Sequence, residues 1–448
     1  MRHCLVRAFA AAAMLACTYE VHANTLVVDS AADDTIAGDA HVTLREAIIA
    51  ANDDTTTDLG QTGAGIDTII LPALGGVIEL QDALPAITST IRIRGPGQHR
   101  LEIQGSNSFS ESFNLLVIDG GDLLVSDLDF ARGVVQGGFG ADCSYLSGCG
   151  GGGAGLGGAI LLDDGVLTLR NVVIRHSFAS GGSGGSAFFG GIGGGGGVRL
   201  SAHSTDGESQ DGGNGADGFP LAGVGGIGGT ASAGPGDGGI GAGGGGGYGD
   251  SSMVFPAGGN GGFGGGGGGG GSGTCFESAL ASGGHGGFGG GGGGGGSGFG
   301  EGCGNGQGGA GGEFGGRGGE GQAINDPPGP SIGGGGGGGG AGLGGGILAF
   351  GGRLLLQNVT ITDCYATGGS AGYGGWSLDH AGTDGQGLGG ALFLDDDVDA
   401  DGYAVTLSDN FASSGSGYGF AWGLFTNTVD LHGTLRLSDA IFADGLEP

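Results

Sequence analysis

The sequence predicts an all-β chain: a right-handed parallel β-helix with a short N-terminal capping helix and a long glycine-rich insertion. Three observations carry this. The first is a recurring phrase, Gly-x-Leu-x-Leu-x-Asn/Asp-apolar-x-Ile/Phe. It is clearest as Gly165, Leu167, Leu169, Asn171, Val172, Ile174, and returns as Gly352, Leu354, Leu356, Asn358, Val359, Ile361. Weaker copies stand at Gly121, Leu123, Val125, Asp127, Leu128, Phe130 and at Gly433, Leu435, Leu437, Asp439, Ala440, Phe442. The second is the agreement of residues 155–185 with 342–372 at about seventeen of 31 aligned positions, although a glycine-rich stretch falls between them. The third is a Thr-x-x-Glu box at Thr43 and Glu46, which opens one short amphipathic helix ahead of the strands.

The phrase has a direct physical reading. Alternating apolar residues give a strand one buried face, and the Asx restarts the alternation in a new phase, so the chain must bend sharply between two strands. Asn and Asp suit that bend because their short polar side chains bond locally in the left-handed backbone region. Stacked copies therefore put Asp127, Asn171, Asn358 and Asp439 at equivalent corners, each turn burying its apolar residues against the next. Gly157-Gly158-Ala159-Ile160 and Gly389-Gly390-Ala391-Leu392 begin the preceding strand with small residues where the chain turns tightly. The alternative is a set of ordinary hairpins. Those would favour Asn-Gly at the bends, and the copies lack that pair there.

Composition sets the surroundings. Of 448 residues, 127 are glycine, and 13 arginines with no lysine face 45 acidic residues, for a net charge of -32. Such a surface repels phosphate backbones and anionic membranes, which argues against nucleic acid as a partner. It suits an extracellular protein, or one that gathers divalent cations.

Taken in order, residues 1–23 read as a signal peptide: Arg2 and Arg7, an apolar run from Ala8 to Ala16, and Val21-His22-Ala23 as a small-residue cleavage site. A rival reading makes Met14-Leu15-Ala16-Cys17 a lipoprotein box with Cys17 acylated. No later stretch is long and apolar enough to span a bilayer as a helix. Residues 24–105 then form an N-terminal cap and first turns. Leu44, Ala47, Ile48 and Ala51 share one helical face, which would cover the open end of the coil. Arg45 and Glu46 can be read as a catalytic acid–base pair or as capping and surface pairing.

Within this stretch, Thr25 to Asp29, Val42 to Asn52, Ile66 to Leu71, Leu84 to Ile87 and Ile91 to Gly97 resemble the CSLREA domain, with Val42-Thr43 where that family's motif has Cys-Ser. The resemblance covers about the first fifth of the chain. It implies a secreted bacterial protein with a β-helix behind the domain. Gly157 to Ile160 is likewise similar to repeats of polymorphic outer membrane proteins and autotransporter passengers.

Strands continue through residues 106–180. Arg92 and Arg94 flank Ile93 and are expected to point outward, where they either grip an acidic polysaccharide or form a solvated face. Residues 181–346 form the glycine-rich insertion. Its default reading is a flexible loop leaving one corner, because glycine loses the most entropy on ordering; bundled polyglycine helices are the alternative. Gly258-Gly259-Asn260-Gly261-Gly262-Phe263 recurs there as Gly283-Gly284-His285-Gly286-Gly287-Phe288. No Gly-Lys-Ser/Thr follows these runs, so they are not phosphate loops.

Residues 347–448 hold the last turns and a tail, Ile441 to Pro448, similar to the short ends of many secreted proteobacterial proteins. Asp397, Asp399, Asp401 and Gly402 match the first half of a calcium loop, although Ser408 stands where a bidentate Glu would close it. Cys143 with Cys149 and Cys275 with Cys303 are the economical disulfides if the chain is exported, leaving Cys364 over; no paired Cys-x-x-Cys or His spacing supports zinc.

Two functions of different class follow. One is a non-enzymatic secreted or cell-surface protein, adhesin-like or part of an extracellular matrix, with polysaccharide or cell-surface components as partners. The other is a polysaccharide lyase or glycoside hydrolase, for which Asp163, Asp164, Arg170 and Arg175 supply acids and bases in one turn. Arg170 and Arg175 fall on different strands, and fold alone transfers no function.

Overall fold

The structure is a computed structural model. It describes residues 23–106, 112–144, 147–187, 192–198, 213–216, 224–230, 233–248, 257–274, 282–299, 305–322, 333–375, 380–415 and 430–437. Residues 1–22 with Cys4 and Cys17, and also Cys275, Cys303, Asp439 and the tail, lie outside them. The described chain is mostly β, with parallel strands and one α-helix, Leu44–Asp53.

The helix begins where its sequence requires. The Thr43 hydroxyl accepts from Glu46 N–H (3.2 Å), and the Glu46 carboxylate accepts from Thr43 N–H (2.9 Å), which satisfies two otherwise orphaned donors. It stops at Asp54, whose φ of 51° leaves the helical region. Leu44, Ala47, Ile48, Ala50 and Ala51 are buried against the start of the core, beside Leu26, Val28 and Val42.

The strands then add in one direction. Ala23–Val27 pairs in parallel with Ile66–Ile70, which pairs with Thr90–Arg94, then Leu116–Ala131, then Ile160–Arg175. Beyond this point Ile160 to Leu162 pairs with Ile347–Ala349, which continues to Leu392–Leu394 and Leu431–His432. Val166 to Arg175 pairs with Arg353–Thr362, then Asp399–Ser408, then Arg436–Leu437. The stretches before and after the glycine-rich insertion are therefore neighbours, matched residue for residue. Leu123, Val125, Leu128 and Phe130, then Leu167, Leu169, Val172 and Ile174, then Leu354, Leu356, Val359 and Ile361 all point inward and are fully buried. Each level thereby removes four large apolar side chains from water.

Two columns of left-handed residues bend these strands. The first holds Asp127, Asn171 and Asn358 (φ 59°, 52° and 51°), joined by a side-chain ladder: Asn171 Nδ2 donates to Asp127 Oδ1 (2.9 Å) and Asn358 Nδ2 to Asn171 Oδ1 (3.0 Å). At the next level Ala404 takes the position with φ 50°, and the ladder ends. The second column, Arg132, His176, Asp363 and Asp409, has φ between 52° and 58° and shares no residue type that would announce it. After it comes a short parallel sheet of Val134–Gln136, Phe178–Ser180, Tyr365–Thr367 and Phe411–Ser413, on which the rings of Phe178, Tyr365 and Phe411 stack 5.5 Å apart.

The default reading of the glycine-rich stretch as a flexible loop does not hold for its described residues. Gly258, Gly261, Gly264, Gly267 and Gly270 donate to the carbonyls of Ser282, His285, Phe288, Gly291 and Gly294. Gly283, Gly286, Gly289, Gly292 and Gly295 donate in the same way to Gln307, Ala310, Glu313, Gly316 and Gly319. Every third residue faces the same neighbour, the pattern of an extended helix with three residues per turn and no internal hydrogen bonds. Consecutive glycines serve different neighbours: Gly151, Gly152 and Gly153 donate to Gly267, Gly338 and Gly138. Hairpins related by 25 residues (258–271, 283–296, 308–321) stack on one another, and side chains tie the stack together. Asn260 N–H donates to Asp237 Oδ1 (2.7 Å), His285 N–H to Asn260 Oδ1 (2.9 Å), and Ala310 N–H to His285 Nδ1 (2.9 Å).

What orders this glycine is the absence of a Cβ. A Cβ on Gly291 would lie 2.6 Å from the carbonyl carbon of Gly338 and closer still to its oxygen. Close backbone approach then lets hydrogen bonds in several directions offset the entropy lost. A phenylalanine seam joins the glycine hairpins to the strands. Phe263 and Phe288 stack at 5.2 Å and meet Phe350 edge-on, while Phe314 meets Phe393, over a buried floor of Val117, Leu161 and Leu348.

Candidate functional site

The strand stack has three outward faces. The one bearing Leu161, Leu348 and Phe393 is covered by the glycine hairpins. The second lies between the Gly165 and Asn171 bends. Strand alternation brings three columns to it: Thr90, Asp122, Val166, Arg353, Asp399; then Arg92, Leu124, Thr168, Leu355, Asp401, Arg436; then Arg94, Ser126, Arg170, Gln357, Tyr403. The third follows the Asn171 bend.

The second face carries five of the 13 arginines, and they fall into two groups. Arg353 and Arg436 alternate with Asp399 and Asp401. Arg353 stands 3.5 Å from each carboxylate, Arg436 Nε reaches Asp401 at 2.9 Å, and its other arm bonds Asp399. Hydrogen bonding from Arg436, followed by the charges of Arg436 and Arg353, holds the Asp401 carboxyl below its ordinary range. Arg92, Arg94 and Arg170 belong to the other group. No hydrogen bond or ion pair of their side chains is formed among the described residues. Arg92 and Arg94 are exposed and Arg170 partly so, with Ser126 and Thr168 nearly covered beside them.

On the third face, Arg175 Nε bonds Glu102 at 2.9 Å, and His99 Nδ1 lies 2.9 Å from Asp129. At the bend before the second face, Asp119 and Asp164 are paired in register. The neighbouring Asp163 carboxyl is raised, first by burial and then by the charges of Asp119 and Asp164.

The sequence-predicted residues sort as follows. Thr43 and Glu46 form the helix cap, and Arg45 is held by Asp33 in a two-armed bridge, Nε to Oδ1 and Nη2 to Oδ2 at 2.8 Å each, so neither Arg45 nor Glu46 stands ready for acid–base work. Cys143 and Cys149 are bonded to each other. Cys364 is a buried thiol, pushed up to about 12 by burial. Asp397, Asp399 and Asp401 are not gathered around a common point. Asp399 and Asp401 begin a strand and are paired with Arg353 and Arg436. Among the described residues no group of three or more His, Cys, Asp or Glu could hold a metal ion. Arg170 and Arg175 face apart, separated by the Asn171 bend, and Arg175 is engaged by Glu102. What the residue pattern alone missed is the partnership of Arg170 with Arg94, which only the register reveals.

No helix among the described residues is long and apolar enough to cross a membrane. Comparison with protein-family models, curated proteins and solved structures gave no match for this chain.

Proposed function

We propose that this is a secreted or cell-surface protein that works by presenting an extended surface and turns over no substrate, an adhesin-like or extracellular-matrix component built on a right-handed parallel β-helix. The observation that carries the reading is the double stack: strands and glycine hairpins repeat side by side and are fused by the phenylalanine seam. Such an arrangement repeats one surface pattern from level to level. The β-helix itself is supported by the residue-for-residue register of successive strands and by the two columns of left-handed bends. The signal-peptide pattern over residues 1–23, the resemblance of 24–105 to the CSLREA domain and the net charge of -32 support export.

The test is fractionation of producing cells, with the chain followed by antibody, together with incubation of the purified chain with a panel of acidic polysaccharides. Retention on the outside of intact cells without cleavage of any polysaccharide is the expected result. Confinement to the cytoplasm overturns the proposal, and free release with no surface binding counts against its adhesin-like form. Turnover of a polysaccharide favours the lyase or glycoside hydrolase reading instead, for which the raised Asp163 carboxyl is the one specific observation.

A further inference from the structure

We propose that the second outward face is a binding site for an acidic polysaccharide, gripped through its carboxylates by Arg92, Arg94 and Arg170. This names a partner for the surface protein inferred above and rests on that reading.

Charge is the first argument. Acidic residues outnumber arginines 45 to 13, and half of the ten described arginines have a carboxylate partner. Arg45, Arg175, Arg353 and Arg436 each meet one. Arg92, Arg94 and Arg170 do not, although they share a face with Asp122, Asp399 and Asp401. Three neighbouring, unneutralised cations in a strongly acidic protein repel one another and are relieved by an incoming anion.

Spacing is the second. Arg94 and Arg170 sit two strands apart in one column, about 10 Å, and Arg92 lies two residues along the strand from Arg94, about 7 Å. Successive acid groups on a chain can meet all three at that spread. The planar guanidinium fork matches a carboxylate with two parallel hydrogen bonds.

The rest of the column supplies the third argument. Ser126 lies between Arg94 and Arg170, and the column runs on through Gln357 to Tyr403, a residue 40% exposed. Hydroxyl, amide and aromatic groups in line suit sugar hydroxyls and the apolar face of a sugar ring. Duplex nucleic acid or an anionic bilayer would bring a broad negative field against the whole acidic molecule. A single polysaccharide strand touches only the column.

The experiment uses the full chain with polygalacturonate as probe, dextran as the uncharged comparison and single-stranded DNA as a phosphate polyanion. Binding to polygalacturonate is expected, weakening as salt is raised. Arg92→Gln combined with Arg170→Gln is expected to weaken it by about tenfold or more at an unchanged melting temperature. Arg436→Gln, which removes a guanidinium already engaged by aspartates, is expected to bind like the parent. A second measurement does not depend on how the variants fold: polygalacturonate is expected to protect peptides containing Arg92, Arg94 and Arg170 from phenylglyoxal. Equal binding by the double variant, absence of protection, equal binding of dextran, or tighter binding of DNA would each overturn the site. A chain retained on cells that ignores polygalacturonate defeats this inference alone, whereas a chain that never leaves the cytoplasm defeats the surface reading beneath it.

Discussion

Gly291→Ala is the sharpest probe of the glycine hairpins. The Gly291 N–H donates to the Gly152 carbonyl at 2.8 Å, and its own carbonyl accepts from Gly267 at 2.9 Å. The new methyl would start 2.6 Å from the carbonyl carbon of Gly338, where ordinary contact begins at 3.4 Å, so the segments must part by at least 3.4 − 2.6 = 0.8 Å. That separation weakens the bonds of Gly291 and the bond from Gly338 to Gly292, also 2.8 Å. Losing two or three such bonds at about 1 kcal/mol each, with about 1–3 kcal/mol for forced overpacking, gives about 3–6 kcal/mol. The effect is comparable with the whole stability of many domains. Hydrogen exchange read by mass spectrometry is the assay. Amides of residues 283–296 are expected to be protected in the parent and to lose protection in Gly291→Ala, with the strand amides 166–175 less affected. Gln307→Ala, on the exposed side of the next hairpin, is expected to change neither. Immediate exchange of residues 283–296 in the parent, or a Gly291→Ala chain indistinguishable from it, would refute the close-packed account.

Three further outcomes test other parts of the molecule. Asn171→Ala removes the rung joining Asp127 to Asn358 and is expected to destabilise by about 1–3 kcal/mol in a denaturant titration; Asn171→Asp should do worse near neutral pH, where it sets a second carboxylate on Asp127, and improve on acidification. Because burial and its acidic neighbours raise the Asp163 carboxyl in the folded chain, its contribution is present below the ordinary carboxylate range and lost as pH rises through its folded value. Asp163→Asn is therefore expected to raise the melting temperature near pH 7 and to make no gain in acid. Cys364 should resist thiol reagents at pH 8 until the chain unfolds, as the difference in labelling between the parent and Cys364→Ala will show. With the thiol raised from 9.0 to about 12 in the folded state, stability should fall between those values, where only the unfolded chain ionises.

How legible this was depended on whether each feature leaves a trace in one stretch of chain. The phrase around Asn171 was readable because period-two alternation and an Asx bend sit within ten residues. The second bend was not, since Arg132, His176, Asp363 and Asp409 have only their backbone angle in common. Ala404 shows that a bend already enforced by its neighbours tolerates a residue with no preference for it. The acids from Asp397 to Asp401 resembled a metal loop because a loop was assumed; on a strand, alternate acids face the adjacent strands, and there Arg353 and Arg436 were waiting. The glycines misled for a related reason. Entropy per residue is a local quantity, whereas what opposes it here is hydrogen bonding across each hairpin and to neighbouring segments 24 or more residues away. The repeated phrase at Gly258 and Gly283 was visible, but its third copy, with Ala310 and Glu313 in place of His285 and Phe288, was disguised by substitution.

The 25-residue spacing of the hairpins also governs how this chain can change length through descent. A duplication of one whole unit adds a hairpin whose every donor finds an acceptor, because the new copy repeats the phase of the old one. A single added residue turns everything after it by a third of a helical turn and drives side chains into glycine-only contacts. An extra copy of residues 283–307 is thus expected to be accepted and one extra glycine after Gly283 to be rejected. Since the flanking strands 166–175 and 353–362 pair directly with each other, recombination between tandem units can widen or narrow the covering layer in steps while the strands beneath keep their alignment.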